Sequence, residues 1–415
     1  MAKQPVTILY LNHNFEGEGT FLRCFNVAKH ITEQGSYAID LVTTSKEARF
    51  RLGSRQVNRN LRIITLPRLT KRPSYLGYLV RGILNCMVVI GDRYDALHSF
   101  AVAIPTTGFP TVVCRWFREK PILVDWDDAW GGGYATYVSS FANRLTTFFE
   151  YRTPKLARAR AMTVCSEVLR RMAVERIGMD PRRVFKVLNG ANSDMVYPVE
   201  RGEARAVIGM RPDEKVVMAM GRTFTKSFEI LLDVFSRVHS AYPSVRLVIV
   251  GELCDYGKLG SYIGGVKNRF RALIPRIHFA GRVPYGEIKY YLSAADVLAL
   301  PMEDSIHDWA RFPIRLGDYM ASGRPIVSNA VGELRRILLG HKAGIVVDVD
   351  DLDGFSEGIL AFLRDSERGY AYAANALRAA KEEMDWAEIA REMVEVYRSV
   401  GIREGVLRRR PESGG

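Results

Sequence analysis

The chain has 415 residues, 47% of them hydrophobic and 25% charged, and its formal net charge is +13. This composition excludes a globally disordered protein and fits about two globular domains of ordinary size. Its cysteines, Cys24, Cys86, Cys114, Cys165 and Cys254, are scattered with no CxxC pair, which argues against a zinc ribbon or disulfide frame and for small buried hydrophobes in a reducing compartment.

The opening "MAKQPVTILYLN" lacks the apolar core and cleavage site of a secretory signal. It reads as the approach to a first strand, Val6–His13, and the expected location is cytoplasmic. A glycine turn and an amphipathic helix follow over Glu16–Gly35, then a strand over Tyr37–Thr44. In the turn, Gly17 and Gly19 permit close approach of a ligand to a helix N-terminus; taken alone, "GEG" is better explained as a bare tight turn.

Between Lys46 and Gly82 stand ten Lys or Arg residues against one acid, Glu47. This segment runs into "YLGYLVRGILNCMVVI", Tyr75–Ile90, which is interrupted by Arg81 and Asn85 and is shorter than the roughly 20 apolar residues of a spanning helix. A solvated basic face is one reading. Cations beside an amphipathic helix point further, to an anionic membrane surface and peripheral attachment at the inner face of the cell membrane. Nucleic acid is not expected, because the aromatics are not interleaved with cations as stacking platforms require. "LRIITLP", "DALHSF", "PILVDWDD" and "AMTVCS" read as further strands.

Turn chemistry at Val187–Glu203 marks a junction, and the same alternation then resumes. "KVVMAMG", "VRLVIVG", "IHFAG", "DVLALP", "RPIVSN" and "AGIVVDV" read as strands with helical patterns between most of them. The expected fold is α/β, with two Rossmann-like domains facing each other across a cleft. The first is expected over 1–192 and the second over 193–384. A last helix at about 385–402 is followed by a flexible basic tail, 403–415.

In "VVMAMGRTFTKSF" a strand ends at Gly221, and Arg222 and Lys226 follow at the mouth of a helix. A guanidinium and an ammonium at the carboxyl edge of a parallel sheet suit an anion, and a diphosphate is the natural guest. Some ninety residues on, "LALPMEDSIHDWARFPIRLGDYMASGRPIVSN" carries a strand, a long loop and a helix with Asp318.

Together these blocks resemble the retaining, nucleotide-sugar-dependent group 1 glycosyltransferases of GT-B fold. "GEGTFLRCFNVAKHITEQG" is similar to the family's N-terminal glycine loop and helix, and "MGRTFTKSFEILLDVF" to its donor-phosphate segment, with Ser227 where glycine is common. "DYMASGRPIV" is similar to the segment with the second Glu of a Glu-x7-Glu motif, and "MDWAEIAREMVEVYRSV" to a terminal helix that crosses back to the first domain. The resemblance covers nearly the whole chain.

The resemblance implies that Gly221, Arg222 and Lys226 hold the donor diphosphate and that Asp318 holds the ribose; a surface pairing of Asp318 with Arg315 is the alternative. The first Glu of the motif is replaced by Ala310, so the sugar pocket is rebuilt, with Asp304, His307, Asp308 and Arg311 as candidates. Asp127 or Asp128 would orient an acceptor hydroxyl or take its proton; helix capping and loop solvation are the alternative. The implied activity is retaining transfer of a hexosyl or related sugar from a nucleotide-diphosphate sugar to a lipid-linked or membrane-borne glycan of the cell envelope, with no cofactor and no metal. A non-catalytic nucleotide-binding protein of the same fold, kept open by Ala310, and a sugar-nucleotide epimerase are the alternatives. Sugar, base, acceptor and oligomeric state stay open at this level.

Overall fold

The structure is a computed structural model that describes residues 5–35, 37–47, 50–68, 75–91, 93–131, 140–221, 226–253 and 257–404. The chain divides into two compact units, one comprising Met1–Leu188, Ala310–Phe312 and Trp386–Gly415, the other Asn189–Trp309 and Pro313–Asp385. The expected basic tail lies, from residue 405 on, outside the described residues.

In the first unit the elements run β1 (Val6–Phe15), α1 (Thr20–Glu33), β2 (Tyr37–Thr44), β3 (Gly53–Asn58), β4 (Leu61–Leu66), α2 (Tyr75–Ile90), β5 (Ala96–Phe100), α3 (Pro105–Phe117), β6 (Ile122–Trp126), α4 (Ser140–Leu156), β7 (Ala161–Val164), α5 (Glu167–Met172) and β8 (Val184–Lys186). The sheet order is β3-β4-β2-β1-β5-β6-β7-β8. Every neighbouring pair is parallel except β3 with β4. The sequence pattern missed β3, because "GSRQVN" has no apolar alternation and lies on an edge with one partner.

Ile8, Leu9, Tyr10 and Leu11 are all buried, as a strand covered on both faces requires. One cluster packs Phe21, Val27 and Ile31 of α1 against Trp386, Met393 and Tyr397 of the C-terminal helix. The opposite cluster packs Leu9, Leu11 and Leu97 against Val89 of α2 and Val113 and Cys114 of α3.

The second unit contains α6 (Arg201–Val207), β9 (Val216–Met220), α7 (Lys226–Ala241), β10 (Arg246–Val250), α8 (Gly257–Arg269), β11 (Ile277–Gly281), α9 (Ile288–Ala294), β12 (Val297–Leu300), α10 (Ile306–Ala310), α11 (Arg315–Ala321), β13 (Ile326–Asn329), α12 (Glu333–Gly340), β14 (Ile345–Val347), α13 (Leu352–Arg364) and α14 (Ser366–Glu382). Its all-parallel sheet has the order β11-β10-β9-β12-β13-β14. Phe228, Leu231 and Phe235 of α7 and Phe355 and Ile359 of α13 build its core. The last helix, α15 (Trp386–Ser399), belongs with the first unit. Among the described residues no helix is long and apolar enough to cross a membrane.

Candidate functional site

Strand order fixes where a ligand can sit. In the second sheet the chain runs outward from β9 through β10 to β11, then returns to β12 on the other side of β9. Such a switch point opens a crevice at the carboxyl ends of the two central strands. The segments after β9 and β12 therefore compose the candidate site of this unit.

β9 ends at Met220, whose N–H donates to the Tyr319 hydroxyl at 2.6 Å. Gly221 follows with φ of +128°, a conformation that favours glycine. Gly251 stands at the end of β10 with φ of +132°, and a Cβ there would strike the Gly221 carbonyl. Two neighbouring strands thus end in bare backbone, and a Cβ at Gly221 would run into the Arg315 guanidinium.

Arg315, on α11, donates from Nη1 to the Met220 carbonyl at 3.0 Å. Its Nη2 reaches Met302 Sδ at 3.8 Å, and the guanidinium brings a cation to the end of β9. Lys226 is exposed at the first position of α7. Arg222 lies outside the described residues. Inside α7, the Ser227 N–H donates to Glu303 Oε1 at 2.9 Å, and Glu303 is buried. A carboxylate at a helix N-terminus is stabilised by the aligned backbone dipoles.

Asp318 is buried and accepts a hydrogen bond from the Tyr285 hydroxyl at 2.7 Å. Burial pushes its carboxyl up to about 7, and the tyrosine bond opposes that rise. Asp304 is exposed and accepts from Trp309 Nε1 at 2.6 Å. Asp308 is buried and accepts from the Glu303 N–H at 2.7 Å, so it shapes the loop after β12 from within. Ala310 is fully buried, and residues Ala310–Phe312, Arg311 among them, group with the first unit.

In the first sheet the switch falls between β1 and β5. Gly17 and Gly19 lie in the turn after β1 with φ of +81° and +46°. His13, on β1, is buried against Trp130, their rings meeting edge-on at 5.2 Å, and neither ring nitrogen has a partner among the described residues. Burial, reinforced by the Arg81 charge, pulls its imidazole down to about 3, so His13 is neutral near pH 7. Arg81 reaches in from α2 and donates to the carbonyls of Asn12 at 2.8 Å and His13 at 2.5 Å.

The three aspartates after β6 separate by environment. Asp125 points into the core, where it is paired with Arg23. Asp127 and Asp128 are half-buried beyond the strand end. Burial, with the charges of Asp125 and Asp128, raises the Asp127 carboxyl to about 7, against the pull of Arg23 and of a hydrogen bond from Thr20. Glu150 holds the following loop: it accepts from the Trp126 indole, the Trp130 N–H and the Gly131 N–H. Sequence reasoning passed over Glu150, Glu303 and Tyr285, and named Arg315 only as a surface partner for Asp318. The only visible signal was the repeated strand-then-glycine ending of "VIVG" and "IHFAG".

Among the described residues no group of three His, Cys, Asp or Glu side chains is placed to hold a metal ion. The basic Lys46–Gly82 segment is less free than its sequence suggests. Lys46 pairs with Glu18, Arg55 with Glu16 and Arg62 with Asp40, while Arg81 turns inward. Arg49, Lys71 and Arg72 lie outside the described residues.

Two doubly wound α/β sheets of this order define a GT-B type architecture. Sucrose-phosphate synthase from Thermosynechococcus elongatus superposes with a TM-score of 0.77 at 19% identity over 96% of this chain and 99% of that one. HepE of Anabaena, solved with UDP-glucose, gives a TM-score of 0.69 at 17% identity over 95% and 99%. Residues 214–365 match the family model for glycosyl transferases group 1. The phosphatidyl-myo-inositol mannosyltransferase of Mycobacterium leprae is 28% identical over 237 residues. That match spans 57% of this chain and only 58% of the relative's length.

Proposed function

We propose that the protein transfers a hexosyl or related sugar, with retention at the anomeric carbon, from a nucleotide-diphosphate sugar to a hydroxyl of a lipid-linked or membrane-borne glycan. The observation that carries this reading is the carboxyl edge of β9, where bare backbone at Gly221 meets the Arg315 guanidinium beside the start of α7 at Lys226. An open, cationic strand end at a switch point suits a diphosphate.

In this reading Arg222 and Lys226 neutralise the charge that grows on the diphosphate as it departs, so no metal is called upon. Such preorganised groups favour the transition state over the bound ground state. The bond between the anomeric carbon and the phosphate oxygen breaks as the acceptor oxygen bonds to the same face of that carbon. The acceptor proton passes to the departing phosphate oxygen. Asp318 holds the ribose hydroxyls, and Asp304 supplies a sugar hydroxyl contact. Asp127 or Asp128 orients the acceptor hydroxyl next to the Gly17–Gly19 turn.

The name of the M. leprae relative supports a hexose donor and a lipid acceptor. The UDP-glucose held by the Anabaena neighbour supports a uridine nucleotide. A lipid acceptor in turn places the enzyme at the inner face of the cell membrane. The test is incubation of the full chain with UDP- and GDP-hexoses and a membrane lipid extract, followed by NMR of the product. Transfer with unchanged anomeric configuration supports the reading. An inverted product, or a free epimerised nucleotide sugar, rejects it. Nucleotide binding with no turnover, equal in wild type and Lys226→Ala, favours the non-catalytic alternative that Ala310 raises.

A further inference from the structure

More than half of the exposed large hydrophobic side chains among the described residues lie on α2, α3 and α4. On α2, Leu76, Leu79, Ile83 and Met87 are each more than half exposed and fall on one helical stripe, while Leu84 and Val88 pack inward. α3 adds Trp116 and Phe117 at 68% and 63% exposure. α4 adds Phe141 and Phe148 at 68% and 52%, on a stripe that continues through Arg152. α2 packs on α3 and α3 on α4, so the stripes adjoin on one face of the first unit. Isolated exposed hydrophobics need no explanation, but a contiguous set of this kind marks a surface that meets something apolar.

The charge on these helices narrows the occupant. Their single acid, Glu150, is buried and engaged with the loop after β6. Arg144, Arg152 and Lys155 on α4 are exposed, and Arg115 on α3 is half-exposed. Aromatic and aliphatic side chains accompanied by cations, with no exposed acid on the three helices themselves, complement a bilayer with anionic headgroups.

We propose that the outer face of α2, α3 and α4 is a docking surface for an anionic lipid bilayer. It deepens the function proposed above and rests on that reading for its membrane-borne acceptor. The cations differ from those the sequence pointed to: they come from α3 and α4, because much of the Lys46–Gly82 charge is paired or turned inward. Arg81 gives the surface its link to the site. The outward stripe of α2 meets lipid, while Arg81 on the same helix holds the carbonyls of Asn12 and His13 at the end of β1. Docking therefore sets the acceptor end of the first sheet at a fixed height above the headgroups.

The test is flotation of the full chain with vesicles of phosphatidylcholine alone or with added phosphatidylglycerol. Wild type is expected to float with the anionic vesicles and to be released as salt rises. Trp116→Ser/Phe141→Ser should weaken partition at least tenfold, and Arg144→Glu/Arg152→Glu several-fold. All three proteins should keep the same melting-temperature rise on adding UDP or GDP, which reads the second unit's nucleotide binding separately. The proposal is overturned if wild type stays down with both vesicles, or if the apolar variant floats as well as wild type. It is overturned equally if wild type sediments as a dimer that the apolar variant dissolves, with no vesicle binding in either.

Discussion

Arg23 and Asp125 form a two-pronged ion pair inside the first sheet, Nε to Oδ1 and Nη2 to Oδ2 at 2.9 Å each, with neither side chain exposed. Nη1 donates to the Leu188 carbonyl and Nη2 also to that of Val187, and Thr163 donates to the carboxylate at 2.6 Å. One helix, one central strand and the last residues of the unit before residue 189 are joined at a single buried charge pair.

Removing one partner leaves the other charged and unpaired in the core, at a cost of about 3–5 kcal/mol. Arg23→Met and Asp125→Leu should each lower stability by that order in chemical denaturation. The double variant should cost less than the sum, because the stranded charge is gone. Additive losses would mean that the two groups act independently.

Tyr397 anchors α15 through its hydroxyl, which meets Tyr10 at 2.5 Å and His98 Nδ1 at 2.9 Å. Tyr397→Phe leaves two buried polar groups short of a partner and should cost about 1–3 kcal/mol. Thermal unfolding measures it. His98, held down to about 4 mainly by burial, is neutral throughout the working range, so the loss should not vary with pH between 6 and 8.

Gly251 and Gly17 both have positive φ but differ in their surroundings. A methyl group at Gly17 meets nothing within 4 Å, whereas at Gly251 it strikes the Gly221 carbonyl. Gly17→Ala should therefore cost only about 1 kcal/mol of backbone strain. Gly251→Ala must displace the end of β9 and should weaken nucleotide binding at least tenfold. Melting curves with and without UDP or GDP separate the two effects.

The legible parts of this molecule are those written in apolar runs. "VTILYLNH" and "VVMAMG" announce central strands because burial on both faces demands continuous hydrophobicity, and Gly221 announces a strand end. The fate of individual charges was not legible. Asp125, Asp127 and Asp128 look alike in "VDWDD", yet one faces the core and two face the strand end, which depends on where α1 brings Arg23. Arg315 was seen only as a neighbour of Asp318, three residues away on the same helix. Its reach to Met220 crosses some ninety residues of sequence and is set by sheet order. β3 was invisible because an edge strand needs no apolar alternation.

Asp318 gives a pH signature with a definite sign. Its carboxyl is raised to about 7, above the ordinary 3.8, so the folded state keeps a proton that the unfolded state has lost. Stability from this group is full below about pH 4, falls as pH rises toward 7 and is flat above. The difference in unfolding free energy between wild type and Asp318→Asn should slope by up to about 1.4 kcal/mol per pH unit in that window. Nucleotide-sugar affinity should rise through pH 7 in wild type, as the ionised carboxylate becomes free to accept ribose hydroxyls, and stay flat in the variant.

Calorimetric titration with UDP and GDP tests most directly whether the carboxyl edge of the second sheet grips a diphosphate. The better-binding diphosphate should lose at least tenfold in affinity, about 1.4 kcal/mol, in Lys226→Ala and in Arg222→Ala. The matching nucleoside, which has no phosphate to hold, should bind all three proteins alike. Undiminished diphosphate affinity in both variants, or no binding of either diphosphate to the wild type, would contradict a diphosphate grip at this edge.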